Sequence, residues 1–284
     1  LLTGITGNIG GATARALLAR GVRFRALVRD TQKAAAWAER GVELVVGNLE
    51  DAASITRALA GIDRALLVLP NGEPQEQLEL AFIRTAREAG LPWLLKLSSP
   101  EAVRGTTSPI PLAHLAAEDA LKASGMKWTL LRPSFYMQNF LSNAATIKAE
   151  GKFYYPFGDH GAAALTDSRD AGFFAAHCLA TTGHENKSYD VTSPDKLSFH
   201  EIAAVFSREL GRQIDYVPQD PAAYKAYLGK FLASRWHLDA VCDIFAEVAA
   251  GYVVEPTNVF KQITGRDPVT LAQFVRDYRA VFTP

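Results

Sequence analysis

The 284-residue chain has only two cysteines, Cys178 and Cys242, far apart in sequence. With no CxxC pair and no Cys/His cluster nearby, this excludes a disulfide scaffold and a structural zinc site, and no metal centre is expected. Two thiols in a cytosolic protein is the simpler reading. An excess of either charge is also lacking: 30 Lys plus Arg balance 30 Asp plus Glu. The basic footprint of a nucleic-acid binder is therefore missing. No apolar run reaches the roughly 20 residues that span a bilayer, and no leader-type segment precedes the first glycine. Internal repeats, low-complexity stretches and linkers are absent. Even the start is sparse. "LL" is too short for a whole strand, so a few preceding residues, the initiator Met among them, are expected. What is present is 48% apolar sequence, enough to bury the core of one large domain or of a domain plus a lobe.

The first part alternates two patterns. Short apolar runs, "VRFRALV" (22–28), "ELVVG" (43–47), "RALLVLP" (64–70), "WLLKLSS" (93–99) and "WTLLRP" (128–133), read as strands. Amphipathic runs between them read as helices, and Gly21, Gly61, Gly90 and Gly125 fall just past them, where a left-handed cap is wanted. Strands this short and apolar suit a parallel sheet covered on both faces. The expected fold is α/β, a Rossmann-type doubly wound parallel sheet with a small, mostly helical C-terminal substrate lobe. The NAD(P)-binding domain is expected over 1–133, with 162–192 rejoining it through the strand "KSYDVTS". The lobe is expected over 134–161 and 193–284, with one continuous helix from "SFYMQNF" to Gly151 and a capping box at Ser198 and Glu201.

The most informative segment is "LLTGITGNIGG". Gly4, Gly7 and Gly10 form GxxGxxG between a strand and a helix. Glycines there let the backbone turn sharply and approach a pyrophosphate. The helix beginning near Asn8 points free N–H groups and its positive end at the phosphates. Thr6, Asn8 and Ile9 complete the loop's cofactor set. The second strand ends "ALVRD", where an NAD site usually has an acid for the ribose 2′-hydroxyl. Arg29 precedes Asp30 here, and a guanidinium suits a 2′-phosphate. NADP(H) is thus expected ahead of NAD(H), with Asp30 keeping NAD open. Ligands in such sheets lie beyond the carboxyl ends of the strands. Asn48 and Leu49 are therefore candidates for the adenine, Leu69, Pro70 and Asn71 for the ribose, and Ser98, Ser99 and Pro133 for the nicotinamide side.

Together "TGITGNIGG", "ALVRD", "GNLED", "LRPSFYMQN", "GHENKSYDVTSPDKLSFHEIAAVFSRELGR" and "NVFKQITGRDPVTLAQF" resemble the NmrA-like branch of the atypical short-chain dehydrogenases/reductases. Within it the likeness is to short-type NAD(P)H:quinone oxidoreductases and triphenylmethane reductase, over nearly the whole chain. The resemblance implies a domain that binds NADP(H) and a small lobe that shapes the substrate cleft. Typical short-chain dehydrogenases carry Tyr-x-x-x-Lys on the helix after the fifth strand, often with Glu four residues beyond the lysine. Here the helix at 111–124 departs from that pattern. If Glu118 takes the place of that Glu, His114 falls on the lysine and Ile110 on the tyrosine.

Hydride delivered to a simple ketone makes an alkoxide, which needs a positioned acid. Hydride delivered to a quinone makes a far more stable phenolate-like anion, and a triarylmethyl cation becomes neutral. The expected activity is NADPH-dependent hydride transfer to such a planar small molecule, with orientation supplying most of the acceleration. The alternative is a non-catalytic redox sensor of the NmrA type. A phenylpropanoid reductase is disfavoured because the lysine those enzymes use has no counterpart after the fifth strand. His114 and Tyr136 are the candidate catalytic groups, and His114 is also a candidate for the nicotinamide ribose. Phe135, Tyr136 and Asn139 are candidates for the planar acceptor. Each aromatic, like the cluster of Phe153, Tyr154, Tyr155 and Phe157, equally fits an ordinary packed interface. Lys96, inside the fifth strand, has no assigned role. A homodimer is the general prior for oligomeric state.

Overall fold

The alternation of apolar runs and amphipathic stripes becomes strand–helix alternation over residues 8–133 of the computed structural model, which describes residues 1–232, 234–252 and 254–284. From the glycine loop onward the elements are α1 (Asn8–Ala19), β1 (Arg25–Val28), α2 (Ala35–Ala38), β2 (Glu43–Val46), α3 (Ala52–Leu59), β3 (Arg64–Leu67), α4 (Gln75–Glu88), β4 (Trp93–Leu97), α5 (Pro109–Ala123) and β5 (Lys127–Pro133). Then come β6 (Phe135–Tyr136), a 3-10 helix (Met137–Asn143), α6 (Ala144–Glu150), β7 (Lys152–Tyr155), β8 (Ala162–Thr166), α7 (Ser168–Ala180), β9 (Lys187–Val191) and β10 (Lys196–Ser198). The last are α8 (Phe199–Leu210), β11 (Asp215–Pro218), α9 (Pro221–Leu228), α10 (Arg235–Ala249), α11 (Val259–Thr264), α12 (Leu271–Asp277) and α13 (Arg279–Phe282).

The chain forms two compact units, the first comprising Leu1–Thr106, Ile110–Arg132 and Ser168–Asp190. Its strands pair in parallel, β1 with β2, β3 with β4 and β4 with β5, and β9 lies beside β5. Leu2 bridges Ala26 on one side and Leu66 on the other, both in parallel. The resulting order is β2, β1, Leu2, β3, β4, β5, β9. The chain therefore winds outward in both directions from Leu2, as a doubly wound sheet does. That reversal is the topological switch point, where such sheets open a crevice beyond their carboxyl ends. Gly21, Gly61, Gly90 and Gly125 all have positive φ, +67°, +72°, +74° and +83°, as their positions past helix ends require.

Helices α3, α4 and α5 share one core, where Ile55, Phe82, Ile83, Ala117 and Leu121 meet Leu27, Leu67 and Leu94 of the strands. Helix α1 packs on α7, and the approach is close at Gly172. A Cβ there would lie 2.4 Å from Ala12 Cβ, 2.8 Å from Thr13 N and 2.9 Å from Ile9 O. Gly172→Ala is therefore expected to lower unfolding free energy by about 1–3 kcal/mol, the usual cost of overpacking. Urea denaturation of the two proteins measures it.

The second unit comprises Thr107–Pro109, Pro133–Asp167 and Val191–Pro284. Strand β8 pairs in parallel with β6 and antiparallel with β10, and β7 pairs in parallel with β11. Its core is strongly aromatic, with Phe140, Phe153, Tyr155, Phe157, Phe199, Phe206 and Phe274 all buried. Residues 162–167 belong to this unit, so the return to the first begins at 168 and not at 162. The reason is the pairing of β8, whose partners lie on both sides within the second unit. The helix expected from residue 134 is instead a two-residue strand and a 3-10 turn before α6. Asn143 pins that junction, donating to Tyr155 Oη (3.1 Å) and accepting from Tyr154 N (3.3 Å). The capping box at Ser198 and Glu201 forms as expected.

Both thiols are free among the described residues, and burial pushes that of Cys178 up to about 12. No described helix is long and apolar enough to cross a membrane, and no described group of His, Cys, Asp and Glu could hold a metal.

Candidate functional site

The glycine loop leaves the switch point directly. Gly4 has φ +65°, and its carbonyl accepts from Gly7 N at 2.9 Å, which closes the turn. Gly10 packs on the same carbonyl: a Cβ there would sit 2.2 Å from Gly4 O and 2.6 Å from Gly4 C. Gly7 is the N-cap of α1, with no side-chain cap and no acid in the first turn. Thr6, Gly7 and Asn8 are exposed and Ile9 is half-buried. The result is a helix N-terminus whose first N–H groups face outward, with no local carboxylate to oppose an anion. Thr3 ties this loop to the end of β3, its hydroxyl donating to Val68 O (2.9 Å) and accepting from Val68 N (2.7 Å). A cradle that a single Cβ would fill, under an uncapped helix end, fits the pyrophosphate of a dinucleotide.

Parallel pairing puts the ends of β1 to β5 on one edge with this loop. Arg29 follows β1, Asn48 and Leu49 follow β2, Leu69, Pro70 and Asn71 follow β3, Ser98 and Ser99 follow β4, and Pro133 closes β5. Arg29 is exposed. The carboxylate of Asp30 accepts from Gln32 N (2.8 Å) and Lys33 N (3.3 Å), closing an Asx turn. Its Oδ1 is thus engaged in the loop's own backbone, while the neighbouring guanidinium points to solvent. Asn48, Pro70 and Asn71 are exposed, Leu49 and Leu69 are half-buried, and Pro133 is buried. Ser99 donates to Glu101.

In the second unit, the ring of Phe135 packs on Tyr155, Phe140, Phe199 and Phe157 at centroid distances of 5.7, 5.9, 5.9 and 6.2 Å. It belongs to that unit's aromatic core. Phe153, Tyr155 and Phe157 are buried in the same core, while Tyr154 donates to Glu150 at 2.6 Å. Tyr136 is half-buried and Asn139 exposed, the latter's carbonyl accepting from Ser142 Oγ (2.6 Å) and Tyr155 Oη (3.2 Å).

The least expected feature lies under β4. Helix α4 buries Gln75, Glu79, Phe82, Ile83 and Ala86 along one stripe, and α5 buries Ile110, Ala113, His114, Ala117, Glu118 and Leu121. Both stripes carry polar residues among apolar ones. Lys96 of β4 lies between them and is fully buried. Its Nζ is 2.8 Å from His114 Nδ1, 2.9 Å from Leu97 O and 3.0 Å from Glu79 Oε2. The amide nitrogen of Gln75 lies 3.3 Å from His114 Nδ1 and 3.2 Å from Nε2, so it sits over the ring and not in line with either lone pair. Burial raises the carboxyl of Glu79 and lowers the ammonium of Lys96, each drawn back toward its charged form by the other. Burial first, and the Lys96 charge second, hold His114 well below the usual imidazole range, so the ring is neutral at physiological pH.

One helical turn beyond His114, Glu118 is buried and saturated. Its carboxylate accepts from Ser98 Oγ (2.7 Å), Arg132 Nε (2.8 Å) and Lys122 Nζ (3.0 Å), and also from Arg132 Nη2. Burial would push this carboxyl up, but the bonds from Arg132 and Ser98 outweigh it and hold it below its ordinary range. Glu118 therefore latches α5 to the ends of β4 and β5, and the Ser98 hydroxyl is committed to it as a donor.

Sequence reading assigned no role to Lys96, Glu79 or Gln75. The available signal was a lysine flanked on both sides by leucine in a fully apolar strand, with Gln and Glu four apart on the preceding helix.

The NmrA-like family model matches residues 1–270. An NAD(P)H azoreductase of Xenophilus azovorans is 33% identical over 99% of this chain and 98% of its own length. An NADPH-dependent quinone oxidoreductase of Escherichia coli, solved in complex with NADPH, superposes with a TM-score of 0.88 at 26% identity, covering 98% of this chain and 99% of that one. Triphenylmethane reductase of Citrobacter sp. shares the fold, with a TM-score of 0.87 at 24% identity over 99% and 98% of the two chains. With its switch-point glycine loop and a family match over almost its whole length, the chain belongs to the NmrA-like family.

Proposed function

We propose that this protein is an NADPH-dependent reductase whose hydride acceptor is a planar, conjugated small molecule, such as a quinone, an azo compound or a cationic dye. The observation that carries the reading is a full phosphate cradle combined with a reaction side poor in acid. The loop at Gly4, Gly7 and Gly10 fits a dinucleotide, while α5 has Ile110 and a buried His114 at the positions that match the tyrosine and lysine of an alcohol-forming dehydrogenase if Glu118 takes the place of the glutamate that often follows that lysine. Bound NADPH supplies the hydride. The protein's own part is to bind and orient it: the α1 N-terminus meets the pyrophosphate and Arg29 the 2′-phosphate. An acceptor that becomes a stabilised anion or a neutral product needs little more than alignment. The azoreductase and quinone-reductase relatives support this acceptor class.

The direct test follows NADPH oxidation with a panel of quinones, azo dyes and cationic triarylmethane dyes, against simple ketones. Turnover is expected with members of the first three groups and not with ketones. Tight NADPH binding with no turnover on any conjugated acceptor would overturn the reading. For the cofactor, Arg29→Ala is expected to weaken NADPH binding by roughly tenfold or more, in line with about 1.5–3 kcal/mol for a hydrogen bond to a charged group. NADH binding should be unchanged. Titration calorimetry with both nucleotides reads the difference, and an equal loss for both would place Arg29 away from the 2′-position.

A further inference from the structure

The Lys96 side chain is not what pairs β4 with β3 and β5, which backbone groups do. Its geometry is nonetheless specific. An ammonium has three hydrogens and no acceptor, and three acceptors lie within 3.0 Å of Nζ: His114 Nδ1, Leu97 O and Glu79 Oε2. The first of these has a consequence for the ring. A nitrogen 2.8 Å from an ammonium accepts a hydrogen bond, so in a neutral imidazole the remaining proton resides on the other nitrogen. Glu79, whose Oε2 lies 3.0 Å from Nζ and 3.9 Å from Nδ1, supplies the countercharge that draws Lys96 toward its ammonium form against burial, and Glu118 reinforces it while Arg132 opposes it. Gln75, Glu79 and Lys96 are each no more than 1% exposed, whereas His114 is 7% exposed. Of the four, His114 is the least deeply buried.

We propose that Lys96 is a positioning residue that fixes His114 as its Nε2–H tautomer, so that this ring presents one N–H donor at the reaction side of the sheet. This rests on the reductase reading for its purpose. A donor there hydrogen-bonds the anion that forms when hydride reaches a quinone-type acceptor, or the carboxamide or ribose of the nicotinamide nucleoside. The lysine that short-chain dehydrogenases carry on the helix is thus replaced by a lysine on the neighbouring strand, acting one residue removed through a histidine.

The test is a two-bond proton–nitrogen correlation spectrum of ¹⁵N-histidine-labelled protein with NADP⁺ bound, in wild type and in Lys96→Met, paired with steady-state kinetics. Wild-type His114 is expected as the Nε2–H form. In Lys96→Met the Nδ1–H form should appear, with kcat reduced by roughly tenfold or more. A wild-type spectrum showing Nδ1–H, or a Lys96→Met protein that keeps pure Nε2–H, overturns the proposal. If Lys96→Met does not fold, the wild-type spectrum decides alone. An Nε2–H ring in a protein that reduces no acceptor would leave the tautomer assignment standing and remove the reductase reading instead.

Discussion

Gly10→Ala is expected to abolish useful dinucleotide binding. The new Cβ would lie 2.2 Å from Gly4 O, 2.6 Å from Gly4 C and 3.0 Å from Ile5 N. All three are backbone atoms, so no side-chain rotation relieves the clash. Either the first turn of α1 moves away from the loop or the Gly4 turn opens. In both cases the Gly7 N to Gly4 O bond is lost and the N–H groups at the start of α1 no longer converge. A rise in the NADPH dissociation constant of at least roughly 100-fold is expected, which corresponds to about 2.7 kcal/mol. Unfolding free energy should fall by only about 1–3 kcal/mol, since the sheet and its core are untouched. Fluorescence titration with NADPH alongside urea denaturation separates the two effects, and near wild-type affinity would show that the cradle at Gly4 and Gly10 does not hold the pyrophosphate.

Glu118→Ala is expected to destabilise the protein by about 3–5 kcal/mol. It removes the Glu118 carboxylate from Arg132, whose side chain is 17% exposed, and takes the acceptor from the Ser98 hydroxyl. Against a typical total of about 5–15 kcal/mol, that is a large fraction. The pH dependence has a definite sign. Glu118 has its carboxyl held below the ordinary range in the folded protein. Its contribution is therefore complete above the unfolded carboxylate value of about 4.3 and is lost as pH falls through the lower folded value. Wild type and Glu118→Gln should differ most near neutral pH and converge in acid. Urea denaturation between pH 7 and pH 3 measures the convergence, and a gap that widens in acid would mean that Glu118 is not a stabilised carboxylate.

Much of the architecture was legible because it is written locally. The strand runs, the left-handed glycines at 21, 61, 90 and 125, and the Ser198 and Glu201 capping box each depend on a few adjacent residues. The second unit was harder to read. "AAALT" carries no alternation and no turn chemistry of its own, and it becomes β8 only because β6 and β10 flank it. The aromatic run around Tyr155 could as well have lined a cleft as filled a core, and packing of Phe140, Phe199 and Phe206 around it decided for the core. His114 was visible as the residue that falls on the lysine position if Glu118 takes that of the glutamate, but its surroundings were not.

By itself the sequence determined that a glycine loop opens a doubly wound sheet, since five short apolar runs alternate with amphipathic ones behind it. It also determined that the next strand ends on an arginine before an aspartate. Only the tertiary structure decided what those residues face. Asp30 folds back onto its own turn, and α4, β4 and α5 bring Glu79, Lys96 and His114 within 4 Å of one another from separate elements. The physical reason is burial. Each of these charges read alone is an ordinary solvated side chain, and the shared removal from water makes them a coupled group with a defined proton arrangement.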